Sequence, residues 1–364
     1  MSMKIESVRA FILKKPLDKP LATSKAELRE RGTAIVQIKT EDGIEGLGEG
    51  VGVPNVIKEI VERNFTPMLI GEDPFNIERL WRKMFQRLYW EPKGAWVCAI
   101  SAVEMALWDI VGKALDVPVY KLIGGLYRDR LEAYASDIFW DDVEEMAKRA
   151  ASFVNQGFRY VKCHIGKGFG HDEVRVRAMR KAIGNDAELM VDINCGYDRP
   201  TAIKFAEVFE ENEVFWYEEP LPPFDLEGYK LLKDYTDLPI AAGENEFTKY
   251  GFRDMFVKGA VDYAMPDLAR VGGILEGKKV SALAESFNVV CSPHVFSTGI
   301  LLAATLHLMA STPGTELFEL DTTGTGVIDE LLAEPLEVRD GYVYVPKGPG
   351  LGVQLGERVK RYLV

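Results

Sequence analysis

From Leu131 to Asp321 the chain repeats one unit, a short apolar run that ends in a polar residue and is followed by an amphipathic stretch. The runs are "LEAYAS", "YVKCH", "ELMVDIN", "VFWYEEP", "PIAAGEN", "VDYAMPD", "NVVCSPH" and "ELFELD". The polar residues that close them, from the second run onward, are His164, Asp192, Glu218, Glu244, Asp267, His294 and Glu319, spaced by 28, 26, 26, 23, 27 and 25 residues. A strand, a helix and two loops consume about that length. Eight sequential βα units close most economically into a (β/α)8 barrel. A doubly wound open sheet is the alternative, but it gives no reason for a titratable residue at strand end after strand end. In a barrel those ends meet at one mouth, where reacting groups sit.

The rest of the chain is assigned around that repeat. Residues 1–128 read as an α+β unit: strands in "MKIESVRAFIL" and "TAIVQIKTEDGIEGLGEG", a helical stretch from Val56 to Leu88, and a helix from Cys98 to Leu115. Residues 129–328 form the expected barrel, and residues 329–364 are expected to return and pack on the N-terminal unit. The net charge of -12 repels a phosphate backbone and argues against nucleic acid as a partner. The start carries no apolar signal segment, and the run "GILLAATLHLMA" is too short to span a bilayer, so no membrane is expected. Cys98, Cys163, Cys195 and Cys291 lie far apart with no CxxC pair, which fits free thiols in a reducing cytoplasm.

Asp192, Glu218 and Glu244 close three consecutive strands. Three converging carboxylates repel unless a cation sits among them, and hard oxygen ligands with open positions suit Mg²⁺. Asp267 and His294 follow on the next two strands, and a carboxylate beside an imidazole fixes its tautomer and stabilises its charged form. Lys162 and His164, two apart in a strand, project to the same face and would meet that pair across the mouth. Acid–base groups on two sides of a metal-bound carboxylate fit abstraction of the proton α to it, because the metal stabilises the resulting enediolate.

The pieces "VKCHIG", "VDIN", "WYEEP", "AGEN", "MPDLARVGG", "SPHVF" and "FELD", in this order, resemble the enolase superfamily and within it the mandelate racemase subgroup. The helix "SAVEMALWDIVGKALDVPVYKLIGG" is similar to the family segment that joins cap to barrel. The resemblance implies Mg²⁺ ligands Asp192, Glu218 and Glu244, a dyad of Asp267 with His294, and a substrate-carboxylate contact at Glu319 that would need a proton or a strong hydrogen bond. It implies a substrate contact at Asn194, a supporting rather than ligating role for Glu219, and cap loops around 17–31 and 51–56 that close over the substrate. It also implies an even-numbered homo-oligomer, such as an octamer. The departures are Lys162-x-His164 where the subgroup commonly has Lys-x-Lys, and Arg270 where the mandelate racemase pattern has lysine.

The family includes racemases, cycloisomerases and acid-sugar dehydratases. The expectation here is dehydration of a sugar acid, an aldonate or an aldarate such as galactarate or glucarate, to a 2-keto-3-deoxy acid. His164 is assigned as base with Lys162 tuning it, and His294 as general acid; the reverse assignment stays open. Lys25, Arg29 and Arg31 in "LATSKAELRERG" are candidates for a distal carboxylate, and Arg270 for another substrate contact. Cycloisomerisation of an aldaric lactone is the alternative and racemisation of a 2-hydroxy acid the third. A barrel that binds without catalysis would be signalled by loss of a metal carboxylate, and all three are present.

Overall fold

The computed structural model describes residues 3–87, 93–322 and 331–364. Strands β1 (Ile5–Ala22), β2 (Glu27–Thr40) and β3 (Glu45–Gly50) form an antiparallel sheet in that order. The stretch 17–31, expected as a loop, is instead the far end of a long hairpin: β1 continues to Ala22 and pairs with β2 as far as Glu27. Pro16 and Pro20 are tolerated because β1 is an edge strand and its register shifts between Pro16 and Leu21.

Helices α1 (Pro54–Ile60), α2 (Thr66–Leu69), α3 (Ile77–Phe85) and α4 (Ala95–Ala114) complete the cap. The single helical stretch expected from Val56 to Leu88 is interrupted. A π turn at Val61–Phe65 precedes Pro67, which has no N–H to donate, and Gly71, at φ 77°, ends the run before α3. Leu88 lies outside the described residues. Helix α4 is long and apolar enough to cross a bilayer, yet it is packed into the cap core. It lies directly on β3, whose alternate residues are glycine; a Cβ on Gly48 would stand 1.9 Å from the carbonyl oxygen of Ala102. The opposite face of β3 turns Leu47 and Glu49 toward the barrel.

The described residues hold eight parallel barrel strands: β4 (Arg130–Ile138), β5 (Tyr160–His164), β6 (Glu188–Asp192), β7 (Val214–Glu218), β8 (Ile240–Ala242), β9 (Tyr263–Ala264), β10 (Val290–Cys291) and β11 (Phe318–Leu320). Each of β4 to β9 pairs with the next, and β11 pairs back onto β4. The ring closes between β10 and β11 through one parallel bridge, Cys291 to Thr315. Around it stand α5 (Val143–Asn155), α6 (Asp172–Ile183), α7 (Arg199–Glu211), α8 (Leu226–Tyr235), α9 (Thr248–Lys258), α10 (Leu268–Val271), α11 (Ile274–Ser286) and α12 (Gly299–Ala310). Tyr134, Met190, Trp216, Ala241 and Met265 make a separate buried cluster inside the strand ring.

The C-terminal stretch touches both units. After β12 (Val338–Arg339), β13 (Tyr342–Tyr344) pairs antiparallel with the first residues of β4, and bridges join Leu363 to Leu13 and Gly350 to Pro118. The expected boundary at 328/329 lies outside the described residues, while β4 begins one residue after the expected 129. Three buried carboxylates tie the pieces together by accepting backbone N–H groups: Glu49 from Thr298 and Leu301 at the start of α12, Glu104 from Ile274 and Leu275 at the start of α11, and Asp109 from Leu47 and Leu351. Carboxylates at helix N-termini also meet the positive end of the dipole.

His307 on α12 is a fourth tie. Its Nε2 donates to the carbonyl of Leu351 at 3.0 Å, and the Tyr120 N–H points at its Nδ1 at 3.4 Å. Burial lowers its pKa to about 4, against a smaller upward pull from the Leu351 carbonyl. The folded state therefore binds fewer protons than the unfolded chain between about pH 6.5 and 4, so this contribution is intact above 6.5 and is lost as pH falls. Between pH 7 and 5 it removes about 2 kcal/mol of unfolding free energy. Urea titrations at the two pH values measure it, and His307→Gln, which keeps a donor for Leu351, is expected to flatten that part of the slope.

Candidate active site

The strand register sets the core of the site. His164 pairs with Asp192 and Asp192 with Glu218, so three titratable groups stand abreast at the ends of β5, β6 and β7. Glu244, Asp267 and His294 lie two to three residues beyond their strands rather than on them, because β8, β9 and β10 are short. Gly243, at φ 136°, starts the excursion that carries Glu244. Oxygens of Asp192, Glu218 and Glu244 lie within 4.8 Å of one another, a spacing that one hard cation can bridge. The charge within the cluster calls for one as well. Burial pushes the Glu218 carboxyl well above its ordinary range, and Asp192, Glu319 and Glu244 add to that against the pull of Lys162.

Lys162 is not a second cation repelling His164. Its fully buried ammonium lies 2.7 Å from Glu218, 2.9 Å from Glu319 and 3.8 Å from Asp192. Burial would lower its pKa, but Glu218 and Glu319 carry it well above the ordinary lysine value. The ring of Tyr134 lies 5.2 Å from Nζ, and Trp216 Nε1 donates to Glu218, so the interior cluster forms the floor of the site.

Two imidazoles flank the cluster, and each has one nitrogen pinned. The carbonyl of Ser136 can only accept, so His164 Nε2 donates to it at 3.2 Å, and Nδ1 turns toward Asn194 Oδ1 at 3.1 Å and Asp192 Oδ2 at 3.2 Å. On the other side His294 Nδ1 lies 2.7 Å from Asp267 Oδ2, and Nε2 turns toward Glu244 at 3.4 Å and Glu319 at 3.9 Å. Burial opposes a charged His294, but Glu244, Glu319 and Asp267 together raise it to about 10. Asp267 also caps α10 through the Ala269 N–H.

Glu319, for which a proton or a strong hydrogen bond is expected, is held by both cations of the site. Burial favours the neutral acid, but Lys162 and His294 outweigh it and hold the carboxyl well below its ordinary range, with Ser136 Oγ and the Val295 N–H also donating to it. Asn194 lines the cavity, and its amide nitrogen donates to Asp192 at 2.9 Å. Glu219 faces Asn245 Nδ2 at 2.8 Å, and its carboxyl is pushed well upward by burial and by Glu244. Arg270 donates to the Glu244 carbonyl and to Asn245 Oδ1, while its Nε has no hydrogen-bond partner among the described residues.

Above the carboxylates lies a cavity of about 560 Å³, covered by cap residues that include Leu28, Val51, Val53 and Pro54. The three cap cations separate. Lys25 and Arg29 are exposed and do not line the cavity, and Arg29 pairs with Glu27. Arg31 does reach the cavity, buried between Asp321 and the Phe296 ring. Sequence reasoning passed over Ser136, although it is the polar end of "LEAYAS" and completes the series of strand-end residues. Phe139 and Phe296, both cavity-lining, carried no polar signal by which to find them. Cys98, Cys163 and Cys291 are buried and Cys195 half-buried, all as free thiols.

Residues 7–124 match the mandelate racemase / muconate lactonizing enzyme N-terminal domain, and residues 145–359 match the enolase C-terminal domain-like family. The chain is 34% identical to D-galactarolactone cycloisomerase of Agrobacterium fabrum, over 97% of each protein. It is 31% identical to D-xylonate dehydratase of Haloferax volcanii, over 88% of this chain and 82% of that one. Among solved structures, the 3,6-anhydro-D-galactonate cycloisomerase from Zobellia galactanivorans superposes with a TM-score of 0.93 at 37% identity, over 99% of both chains. A racemase from Streptomyces coelicolor with bound magnesium gives 0.92 at 32% identity, over 99% of this chain and 100% of that one.

Proposed function

The chain belongs to the mandelate racemase and muconate lactonizing enzyme family of the enolase superfamily, and on that premise we propose that it catalyses β-elimination from a sugar acid. The proton on the carbon α to the carboxylate is removed, and the oxygen on the β carbon departs. The observation that carries this reading is the pair of flanking imidazoles, each with one nitrogen pinned as a donor and the other turned toward the carboxylate cluster. Asp192, Glu218 and Glu244 would hold Mg²⁺, which when bound supplies the positive charge that makes the α-proton acidic.

The protein's own groups move the protons. His164 accepts the α-proton at Nδ1, with its tautomer set by the Ser136 carbonyl. The C–H electron pair forms the C–C double bond as the β C–O bond breaks, and His294 gives its Nε2 proton to the departing oxygen. Loss of a free hydroxyl releases water and an enol that becomes a 2-keto-3-deoxy acid. Lys162 and Glu319 keep the floor of the site neutral and ordered. The apolar cap residues Leu28, Val51, Val53 and Pro54 line the cavity above the cluster, together with Lys14 and Lys15.

A second reading has its own support. Two relatives matched along nearly the whole chain are cycloisomerases, and elimination of a β-oxygen that belongs to a ring opens the ring without releasing water. A panel of aldonates, aldarates, their lactones and 3,6-anhydro acids, incubated with Mg²⁺, separates the readings by product. Absence of turnover and of α-deuterium exchange across the panel overturns both. His164→Asn is expected to abolish α-exchange, and His294→Asn to preserve exchange while cutting elimination about 10² to 10⁴-fold. Mg²⁺ binding, followed by calorimetry, is retained in His164→Asn.

A further inference from the structure

The base proposed above does not stand alone. The ring of Phe139 lies flat on the imidazole of His164, with centroids 4.3 Å apart and planes 5° from parallel. Phe139 in turn packs against Phe296 at 5.7 Å, and the guanidinium of Arg31 sits 3.8 Å above the Phe296 ring. Arg31 belongs to β2, in the cap hairpin, and pairs with Asp321 just beyond β11. A continuous chain of contacts, with the two phenyl planes tilted by 51°, therefore runs from the cap, across the barrel mouth, to the imidazole.

The same hairpin reaches His164 from a second side. Ser24 at its tip donates to the carbonyl of Ile193 at 2.6 Å and contacts that of Asn194 at 3.3 Å. It is seated in a socket of two glycines, since a Cβ on Gly166 or Gly196 would come within 2.9 or 2.8 Å of Ser24 Cβ. The Asn194 side chain is the one that faces His164 Nδ1. The imidazole thus has one flat face covered by Phe139 and both edges held, and two of these three restraints lead back to the cap.

We propose that Arg31, Phe296 and Phe139 are positioning residues for His164, so that the base is held in its reactive orientation only while the hairpin is seated on the barrel. The physical reason is steric. A ring held by one hydrogen bond to Ser136 and a contact with Asn194 can still tip, and a coplanar aromatic face removes that freedom. A cation on the far ring fixes the stack from above. Displacement of a base by about 1 Å can cost about 10²-fold in rate. This assignment rests on His164 acting as the base.

The test needs one readout that does not involve a substrate. Diethyl pyrocarbonate modifies accessible imidazoles, and peptide mass spectrometry reads His164 against exposed His171 in the same molecule. Arg31→Met, Phe296→Leu and Phe139→Leu are each expected to raise the His164 rate several-fold relative to His171, and Phe139→Tyr to leave it unchanged. Thermal unfolding of each variant identifies any that fail to fold, and Phe139→Tyr retains the stack in a folded background. If only Phe139→Leu raises the rate, the cap does not govern the imidazole and the proposal fails. With a turned-over substrate in hand, Phe139→Leu should lower kcat by about tenfold or more with KM little changed. Adding Arg31→Met to it should cost nothing further, because both act on one restraint; additive losses overturn the coupling. Should the substrate panel show no turnover, the elimination reading falls while the modification rates still decide this one.

Discussion

Glu218→Gln is expected to abolish turnover without destabilising the metal-free protein. Glu218 is buried among Asp192, Glu319 and Glu244, and its carboxyl is already pushed toward the neutral form that glutamine mimics. Lys162 keeps a partner in Glu319 at 2.9 Å, and the amide can still accept from Trp216. The variant should therefore unfold within about 1 kcal/mol of the wild type in chelator, or later than it. Its catalytic loss should reach at least about 10³-fold, the equivalent of the several kcal/mol that a positioned metal ion contributes. The thermal shift that Mg²⁺ gives the wild type should disappear. A variant that kept both turnover and the Mg²⁺ shift would remove Glu218 from the ligand set.

Lys162→Met should do the opposite in the absence of metal. It leaves Glu218 and Glu319 buried without the ammonium that both contact, and breaking a buried pair from one side costs about 3 to 5 kcal/mol. The loss should be largest above neutral pH and shrink in acid, where the orphaned carboxylates can take up protons. Mg²⁺ at about a hundred times its dissociation constant should return about 2.7 kcal/mol. Urea denaturation at pH 8, with and without Mg²⁺, measures both quantities. An unchanged midpoint in chelator would mean that Lys162 is not what neutralises the cluster.

The barrel and the carboxylate triad were legible in the sequence because both are periodic: a polar residue recurs at each strand end, and the register then stands His164, Asp192 and Glu218 side by side. What stayed hidden depends on side chains meeting from distant parts of the chain. Lys162 beside His164 reads as two cations in conflict, since nothing local shows that Glu218 and Glu319 converge on the lysine. That Lys25, Arg29 and Arg31, grouped as candidates for a distal carboxylate, separate in the fold was hidden for a similar reason. Lys25 lies in the hairpin turn and Arg29 on its exposed outer end beside Glu27, and only Arg31 lies far enough along β2 to be buried against Asp321. Phe139 and Phe296 look like ordinary core aromatics until the fold lays one of them on an imidazole. Pro16 and Pro20 argue for a loop, and only pairing with β2 shows the strand continuing past them.

The single bridge between Cys291 and Thr315 has a further consequence. Between β5 and β6 the wall is a ladder of five residue pairs, but at this seam side chains reinforce the two backbone hydrogen bonds of the bridge, Cys291 N–H to the Gly314 carbonyl and Glu316 N–H to that of Cys291. Ser292 Oγ reaches the Leu317 carbonyl at 2.9 Å, and Glu319 takes the Val295 N–H at 2.7 Å. Glu319 is thus a stitch in the wall as well as a partner of Lys162. Redesign of the pocket at this position would slacken the fabric beside His294, whereas the His164 side, backed by its full ladder, is the sturdier place to recut.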